Sequence, residues 1–522
     1  MKGPVMFTRR QLLTAATATP LIGAPAIVRA QSWFAGYPFA LGVTSGDPAP
    51  DGFVIWTKLA PKPFEPHGGM PMVALRVKWE VASDDRFKTI VATGEATARP
   101  ELGHSVHVEV TGLQPDRPYW YRFALGSDQS TRGRARTLPL ASASPARLKF
   151  GVAGCQNYED GLFTAFRHLA NEDDLAFVYH YGDFIYEYKQ RGPDYDKDGL
   201  PVDQVRHHVG LDCYDLADYR LRYAQYLSDY DLQAARARHS WFPTFDDHEV
   251  QNNWVSDNDG RDQSPAEIFR LRRQAGLQAW YEYMPVRAAM LPRNGIITDM
   301  YREARFGDLL AIDFLDTRSF RTDQPCGDGF KPYCPGIGDA KAQVLSPEEE
   351  SWLTRNLTRG QAKWNCLAQQ VMMMSLDRRR YADEKETIYN LDSWAGYRVQ
   401  RDRLLAKMRG LDNVVVLTGD EHQNYAGLLE SEGRPVAAEF VSTSISSGGN
   451  GSDLRAGSDM ILRNNPQLKF INDQRGYLIC DVTPDAWTTR FRVMDQVSTP
   501  GGTIATRASI TVPRGQPSLT IA

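Results

Sequence analysis

Apolar and polar side chains alternate along Ala74-Leu75-Arg76-Val77-Lys78-Trp79-Glu80-Val81, and the period of two returns in His107-Val108-Glu109-Val110 and Tyr119-Trp120-Tyr121-Arg122-Phe123. Side chains of a strand point alternately to opposite faces, so these stretches predict half-buried strands, and residues 38–137 read as a small β domain. The small-residue linker Ala141-Ser142-Ala143-Ser144-Pro145-Ala146 follows, and the pattern then changes. Leu148–Ala153, Leu175–Tyr179, Leu309–Leu315 and Val414–Leu417 are apolar runs of the length of buried strands. Gly161–Ala170 reads as a helix, and Ile268–Tyr283 as a long one with apolar residues at helical spacing. Ser346-Pro347-Glu348-Glu349 predicts a helix start, with a capping hydroxyl, a first-turn proline and a glutamate three residues on. Strands alternating with helices predict an α/β domain over 148–500, followed by a C-terminal tail, 501–522.

Leu113-Gln114-Pro115-Asp116-Arg117-Pro118-Tyr119 resembles the tyrosine corner of fibronectin type III sandwiches, where a phenol ties a loop to the backbone. The first domain is therefore expected to be an Ig/fibronectin-III-like β-sandwich. A chain of 522 residues is too long for one ordinary core, which agrees with two domains. With 42% hydrophobic, 24% charged and 11% aromatic residues the composition is that of a globular protein.

Residues 1–30 read as an export signal. Arg9-Arg10 precede a short apolar stretch rich in Ala, Thr and Pro, and Val28-Arg29-Ala30 offers a cleavage site before Gln31. The paired arginines fit the Tat route, which carries folded proteins, so the expected location is periplasmic or secreted and the expected partner is the Tat machinery. A short membrane anchor is the alternative, but the stretch is poorly suited to span a bilayer, and no later run of 18 apolar residues occurs. Removing the segment takes away Lys2, Arg9, Arg10 and Arg29 and no acid, so the mature chain is more acidic than the net −4 of the whole. That charge gives no broad attraction for nucleic acid or anionic membranes. Six cysteines do not make a disulfide scaffold. Cys326 and Cys334 flank a Gly-Asp-Gly loop and could pair after export, whereas Cys366 and Cys480 sit in apolar, core-like runs.

Four polar clusters each follow an apolar run, and strand ends are where α/β folds gather functional groups. They are Gly154-Cys155-Gln156, Gly182-Asp183-Phe184-Ile185-Tyr186, Asp246-Asp247-His248-Glu249 with Asn252-Asn253, and Gly419-Asp420-Glu421-His422. A carboxylate on a tight turn can bridge two cations, a phenol at Asp-x-x-Tyr spacing can reach the same ion, and neutral imidazole is a common metal donor. Each cluster alone has a plain reading as a turn acid or core residue; their joint occurrence argues for a metal site.

In this order the motifs resemble the calcineurin-like metallophosphoesterases. The departures (Cys155, Asp247 and Asp420 where purple acid phosphatases have aspartate, asparagine and histidine) match the PhoD branch, as do Tyr181–Tyr188 and Leu315-Asp316-Thr317-Arg318-Ser319. The resemblance implies a layered metallophosphoesterase-type α/β sandwich that hydrolyses phosphate esters with Fe3+ and Ca2+. It puts Fe3+ near Cys155, Asp183 and Tyr186, with Asp183 bridging to Ca2+; Asp247 and Asn253 lie on the calcium side, and Asp420 and His422 are ligands not assigned to either ion. Calcium prefers oxygen ligands, which suits the carboxylate replacements. His248 is expected to stabilise the transition state or protonate the leaving oxygen. Arg318 is a candidate phosphate contact, or else a salt-bridge partner of Asp316. Gln369 or Gln370 could stand where the purple enzymes carry a further histidine. Residues 189–215 and the tail after Ser498 are candidate lids. The competing readings are a phosphodiesterase of phospholipase D type acting on lipid or nucleotide diesters, and a secreted metal- or phosphate-binding protein without turnover.

Overall fold

The computed structural model describes residues 36–192, 194–195, 201–202, 204–360 and 362–522. The candidate export signal, 1–30, lies outside them. Among the described residues no helix is long and apolar enough to cross a membrane.

Two large sheets lie face to face. One has ten strands, in the order Thr520–Ile521, Ile504–Pro513, Ala486–Met494, Gly476–Val482, Leu148–Ala153, Val178–His180, Ser240–Pro243, Val43–Ala49, Gly52–Lys58 and Ser105–Val110. The other has seven: Arg302–Phe306, Leu310–Phe314, Trp364–Ala368, Val414–Thr418, Arg434–Val441, Asn424–Ser431 and Leu468–Asn472. A shared core joins their inner faces, with Phe150, Val152, Tyr179 and Leu478 from the first meeting Phe314, Cys366, Val415 and Phe440 from the second. Helices cover the outer faces. Thr164–Ala170, Leu216–Leu227, Tyr230–Arg238 and Ala266–Tyr283 lie on the first sheet, and Pro347–Thr358 and Arg398–Met408 on the second. Strands buried on both faces have no polar side to show, which is why Val414–Leu417 is apolar throughout.

Strand direction positions the site. Leu148–Ala153, Val178–His180 and Ser240–Pro243 run parallel to one another, as do Leu310–Phe314, Trp364–Ala368 and Val414–Thr418. The loops leaving their carboxyl ends carry the four polar clusters, so residues far apart in sequence share one edge of the molecule.

The amino-terminal sandwich is present. Its outer sheet, built on Ile90–Ala98, Leu75–Ala82 and Pro118–Leu125, packs on Val43–Ala49, Gly52–Lys58 and Ser105–Val110 through Val77, Val81, Tyr121, Phe123, Phe53, Ile55 and Val106. The Tyr119 hydroxyl accepts from Gln114 N at 3.0 Å, closing the tyrosine corner. The inner sheet does not end at the domain, however. Ser45 and Gly46 pair in parallel with Ser240 and Trp241, so the sandwich continues the ten-stranded sheet.

Residues 501–522 are a correction. They are not a loose tail or lid: Ile504–Pro513 pairs along Ala486–Met494, and Thr520–Ile521 pairs with it in turn. Ala508, Ile510 and Val512 are buried in the shared core. The second candidate lid is anchored where it is described. Arg206 lies over the rings of Tyr158 and Phe163, donates to Asp229 and to the carbonyls of Tyr158 and Gly161, and His208 is buried. Cys326 and Cys334 form a disulfide, and Cys366 and Cys480 are core residues. Ser346 caps its helix by accepting from Glu349 N at 3.1 Å.

Candidate metal centre

The turns that carry the candidate ligands share an uncommon backbone. Cys155, Asp183, Asn253, Asp420 and His422 all have positive φ, between 52° and 64°. A left-handed residue other than glycine costs about 1–3 kcal/mol, so five at one site mark an arrangement the surrounding fold must hold. Reversing the chain just past a strand aims the next side chain off the sheet edge. Two glycines make room for this. Gly154 and Gly419, which precede Cys155 and Asp420, flank the Tyr181 ring, and a Cβ on either would lie within 2.4 Å of it. The Tyr181 hydroxyl, donating to Thr443 O at 2.9 Å, holds that ring in place. Glu249 locks two further turns together by accepting from Asp183 N, Phe184 N and Asp246 N at 3.0, 2.5 and 2.7 Å.

The fold brings the four clusters into contact. Asp183 Oδ2 accepts from Cys155 Sγ at 3.1 Å and from the Tyr186 hydroxyl at 3.2 Å. The Tyr186 oxygen lies 3.0 Å from His422 Nε2 and accepts from Ser447 Oγ at 2.7 Å. Donor atoms lying within 4.8 Å of one another form three groups: Cys155, Asp183 and His422; Asp183, Asp247 and His248; and Asp183, Asp246, Asp247 and Asp420. Asp183 is in all three. One side of it offers thiol, phenol and imidazole, the other carboxylates, and such sets suit cations of different hardness.

Charge tests the fit to cations. Burial raises the Asp183 carboxyl well above the usual range; His248 opposes that rise, and Asp247, Asp246 and Glu249 add to it. Asp420 is raised by burial and then by Asp246, and Asp246 itself stands at about 6. Burial likewise raises the Cys155 thiol and Tyr186 phenol, with Asp183 reinforcing both. Arg318 is the buried countercharge. Its Nε donates to Asp246 Oδ1 at 2.6 Å and its Nη1 contacts Asp392 at 3.1 Å, while Nη2 lies 3.6 Å from Asp247 and 3.9 Å from Asp420. Arg321 shares Asp392 at 3.1 Å, and these two guanidiniums do not balance the four acids together with Asp183. Asp247 Oδ1 and Asp246 Oδ2 are buried without a hydrogen bond among the described residues. Unbonded carboxylate oxygens in a crowded anionic pocket fit bound cations.

His248 differs from the donors. Its Nδ1 is 2.7 Å from Glu187 Oε2, and its ring lies 4.1 Å from that of Tyr186. Burial disfavours its charge, but Glu187, Asp247 and Asp183 outweigh this and raise its pKa well above the ordinary value. His422 is the opposite case, lowered to about 3 by burial, with Arg475 and His248 adding, and therefore neutral as a ligand must be.

Some expectations change. Arg318 is fully buried among the acids, and Asp316 caps the Arg318 and Ser319 N–H groups instead of meeting the guanidinium. It is a countercharge to those acids, and its Nη2 has no hydrogen bond among the described residues. Gln369 accepts from Trp394 Nε1 at 2.7 Å and Gln370 from Thr317 Oγ1 at 2.6 Å, so both side-chain oxygens are engaged in the core. Glu187 and Glu249 lie within the motif stretches and Ser447 outside them, but nothing in their spacing shows the turns and side chains they serve.

Comparison with known proteins agrees with this geometry. The family described as PhoD-like phosphatase matches residues 150–491, and the N-terminal domain of PhoD-like phosphatases matches residues 24–139. Alkaline phosphatase D of Bacillus subtilis (strain 168) is 45% identical over 501 residues, covering 94% of this chain and 84% of that protein. A solved structure of PhoD superposes with a TM-score of 0.89 at 44% identity, covering 94% of this chain and 93% of the other. A purple acid phosphatase from yellow lupin seeds shares the fold, with a TM-score of 0.56 at 10% identity over 92% of this chain and 75% of its own. With both its domains matched and close identity sustained over nearly its whole length, the chain belongs to the PhoD-like phosphatase family and is a phosphoric ester hydrolase.

Proposed function

We propose that the enzyme is an exported, metal-dependent phosphatase whose centre holds Fe3+ on the Cys155, Tyr186 and His422 side and Ca2+ on the Asp247, Asn253 and Asp420 side, with Asp183 between them. The observation that carries this is the membership of Asp183 in every donor group. A carboxylate has two oxygens: here Oδ2 faces a thiol and a phenol, Oδ1 accepts from His248 N at 3.4 Å, and Asp246, Asp247 and Asp420 lie in donor range of the same carboxylate. Donor chemistry supports the pair of ions that the family resemblance implies. Phenolate and thiolate suit ferric iron, and an all-oxygen set suits calcium.

When bound, such cations neutralise charge growing on a phosphoryl group and lower the pKa of an attacking water. The chain's own residues orient and protonate. Glu187 holds His248 Nδ1, which leaves Nε2 as the free ring nitrogen. From there an imidazolium gives its proton to the departing alcohol oxygen as the P–O bond breaks, and recovers one from solvent. Tyr186, packed at a tilt against His248 with ring centroids 4.1 Å apart, restricts the ring to that orientation. Arg318 keeps the four acids from repelling one another before cations arrive.

Export by the Tat route is part of this reading, because a folded, loaded centre would be carried intact. The test is elemental analysis of purified enzyme beside hydrolysis of p-nitrophenyl phosphate. Iron, calcium and turnover should be lost together on chelation and regained together. Full turnover in protein stripped of both metals would overturn the reading.

A further inference from the structure

Asn253 is held at three points. Its main-chain N–H donates to Asp247 Oδ2 at 2.6 Å, its carbonyl accepts from Gln324 Nε2 at 2.9 Å, and its side-chain Nδ2 donates to Asp328 Oδ2. An ionised carboxylate only accepts hydrogen bonds, so Asp328 decides which end of the amide is which. The NH2 group must face Asp328, and Oδ1 is left without a hydrogen bond among the described residues. Asp247 is divided in the same way: Oδ2 takes the Asn253 N–H, and Oδ1 is buried and unbonded. Asn253 Oδ1 and Asp247 Oδ1 are thus the two acceptors left over, the latter 3.6 Å from Arg318 Nη2. With the amide reversed, an N–H would replace Asn253 Oδ1 and repel a cation.

Asp328 stands on a small ring. The Cys326–Cys334 disulfide closes it at its base, Gly329 N donates to Asp328 Oδ1 at 2.6 Å, and Lys331 Nζ donates to Cys326 O at 2.9 Å. The far side is pinned where Phe330–Pro332 pairs with Ile388–Asn390 and Leu391 N donates to Gly329 O. Gln324, just before the ring, bonds both Asn253 and Asp392, and Asp392 is an Arg318 partner. Closing a short loop removes conformations in which Asp328 would point elsewhere.

We propose that Asp328 is a positioning residue for the oxygen-rich side of the metal centre, fixing the Asn253 amide so that its oxygen faces the cation, and that the Cys326–Cys334 bond holds Asp328 in register. This rests on the metal-centre reading above. Removing a group that orients a ligand typically weakens metal binding about 10–100-fold.

The test compares the wild type with Asp328→Ala, Asp328→Asn and the paired Cys326→Ser, Cys334→Ser variant, each dialysed against graded chelator and then analysed for calcium and iron. Asp328→Ala should release calcium at about 10–100-fold lower chelator strength, with iron content and the visible absorption band unchanged. Asp328→Asn, whose amide oxygen still accepts, should retain most of the affinity. Opening the disulfide should weaken calcium binding in the same direction, and adding Asp328→Ala to it should cause little further loss. Calcium retention by Asp328→Ala equal to wild type, parallel loss of iron, or fully additive effects would each overturn the proposal. Wild-type protein that binds neither metal would overturn the metal-centre reading, and this inference with it.

Discussion

Replacing Glu187 by Gln isolates the work of His248 without touching a candidate ligand. The Glu187 carboxylate is fully buried and makes two contacts: Oε2 with His248 Nδ1 at 2.7 Å, and Oε1 with Asn252 N at 2.9 Å. Glutamine keeps the shape and can still accept from Asn252, but it removes the charge that favours imidazolium. Hydrogen bonds to charged groups contribute about 1.5–3 kcal/mol, which is roughly 10- to 150-fold in rate if the loss falls on the transition state. The loss should depend on the leaving group. Simple alkyl phosphates expel a basic alkoxide that needs a proton, whereas p-nitrophenolate departs as a stable anion, so kcat for the alkyl ester should fall far more. The pH profile carries a sign. Glu187, Asp247 and Asp183 hold the His248 pKa above its ordinary value, so the acid form survives to higher pH in the wild type. Without Glu187 the descending limb for the alkyl ester should move to lower pH. Equal losses on both esters, or an unmoved limb, would refute general acid catalysis by His248.

Asp183→Asn should abolish turnover and deplete both metals, and a variant that keeps either metal at wild-type affinity would remove the bridging role. Arg318→Met should destabilise the metal-free protein by about 3–5 kcal/mol in urea titration, because it leaves Asp246 buried without its countercharge, while Asp392 keeps Arg321; a change under about 1 kcal/mol would contradict that role. The site carboxyls should make metal-stripped protein lose stability as pH rises. Asp183 and Asp420 are raised well above their unfolded values and Asp246 stands at about 6, so above about pH 4 these carboxyls bind more protons folded than unfolded, whereas buried His104, His107, His180, His208, His239 and His422, all lowered by burial, cost stability below about pH 6.5. Relative to stripped Asp420→Asn, stripped wild type should therefore lose melting temperature between pH 5 and pH 8, with calcium and iron restoring the loss; a stripped wild type that gains on that variant toward pH 8 would count against the clustered-acid account.

Much of the site was legible because of how parallel sheets are built. An apolar run followed by Gly-Asp or Gly-Asp-x-His states both a buried strand and the turn beyond it, and those turns fall on one edge. The supporting residues were less legible. Glu249 serves Asp183 N from 66 residues away, and Ser447 serves Tyr186 from 261, through contacts that leave no periodic trace. Arg318 was noticed but misplaced, since spacing suggested Asp316 while the fold put Asp246, Asp392, Asp247 and Asp420 around it. The joining of the sandwich to the catalytic sheet rests on Ser45 pairing with Ser240, a parallel contact with no local signal. The strand Ile504–Pro513 carries a signal of its own: Ala508, Ile510 and Val512 alternate inward, a period of two hidden by the irregular look of the stretch after Ser498.

Metal content per polypeptide, measured by elemental analysis on freshly purified protein of known specific activity, tests the convergence of the four strand-end loops on cations most directly. The account predicts iron and calcium together, with a violet or brown colour from the Tyr186 phenolate that fades when iron is removed. Fully active, colourless protein containing neither metal would contradict it.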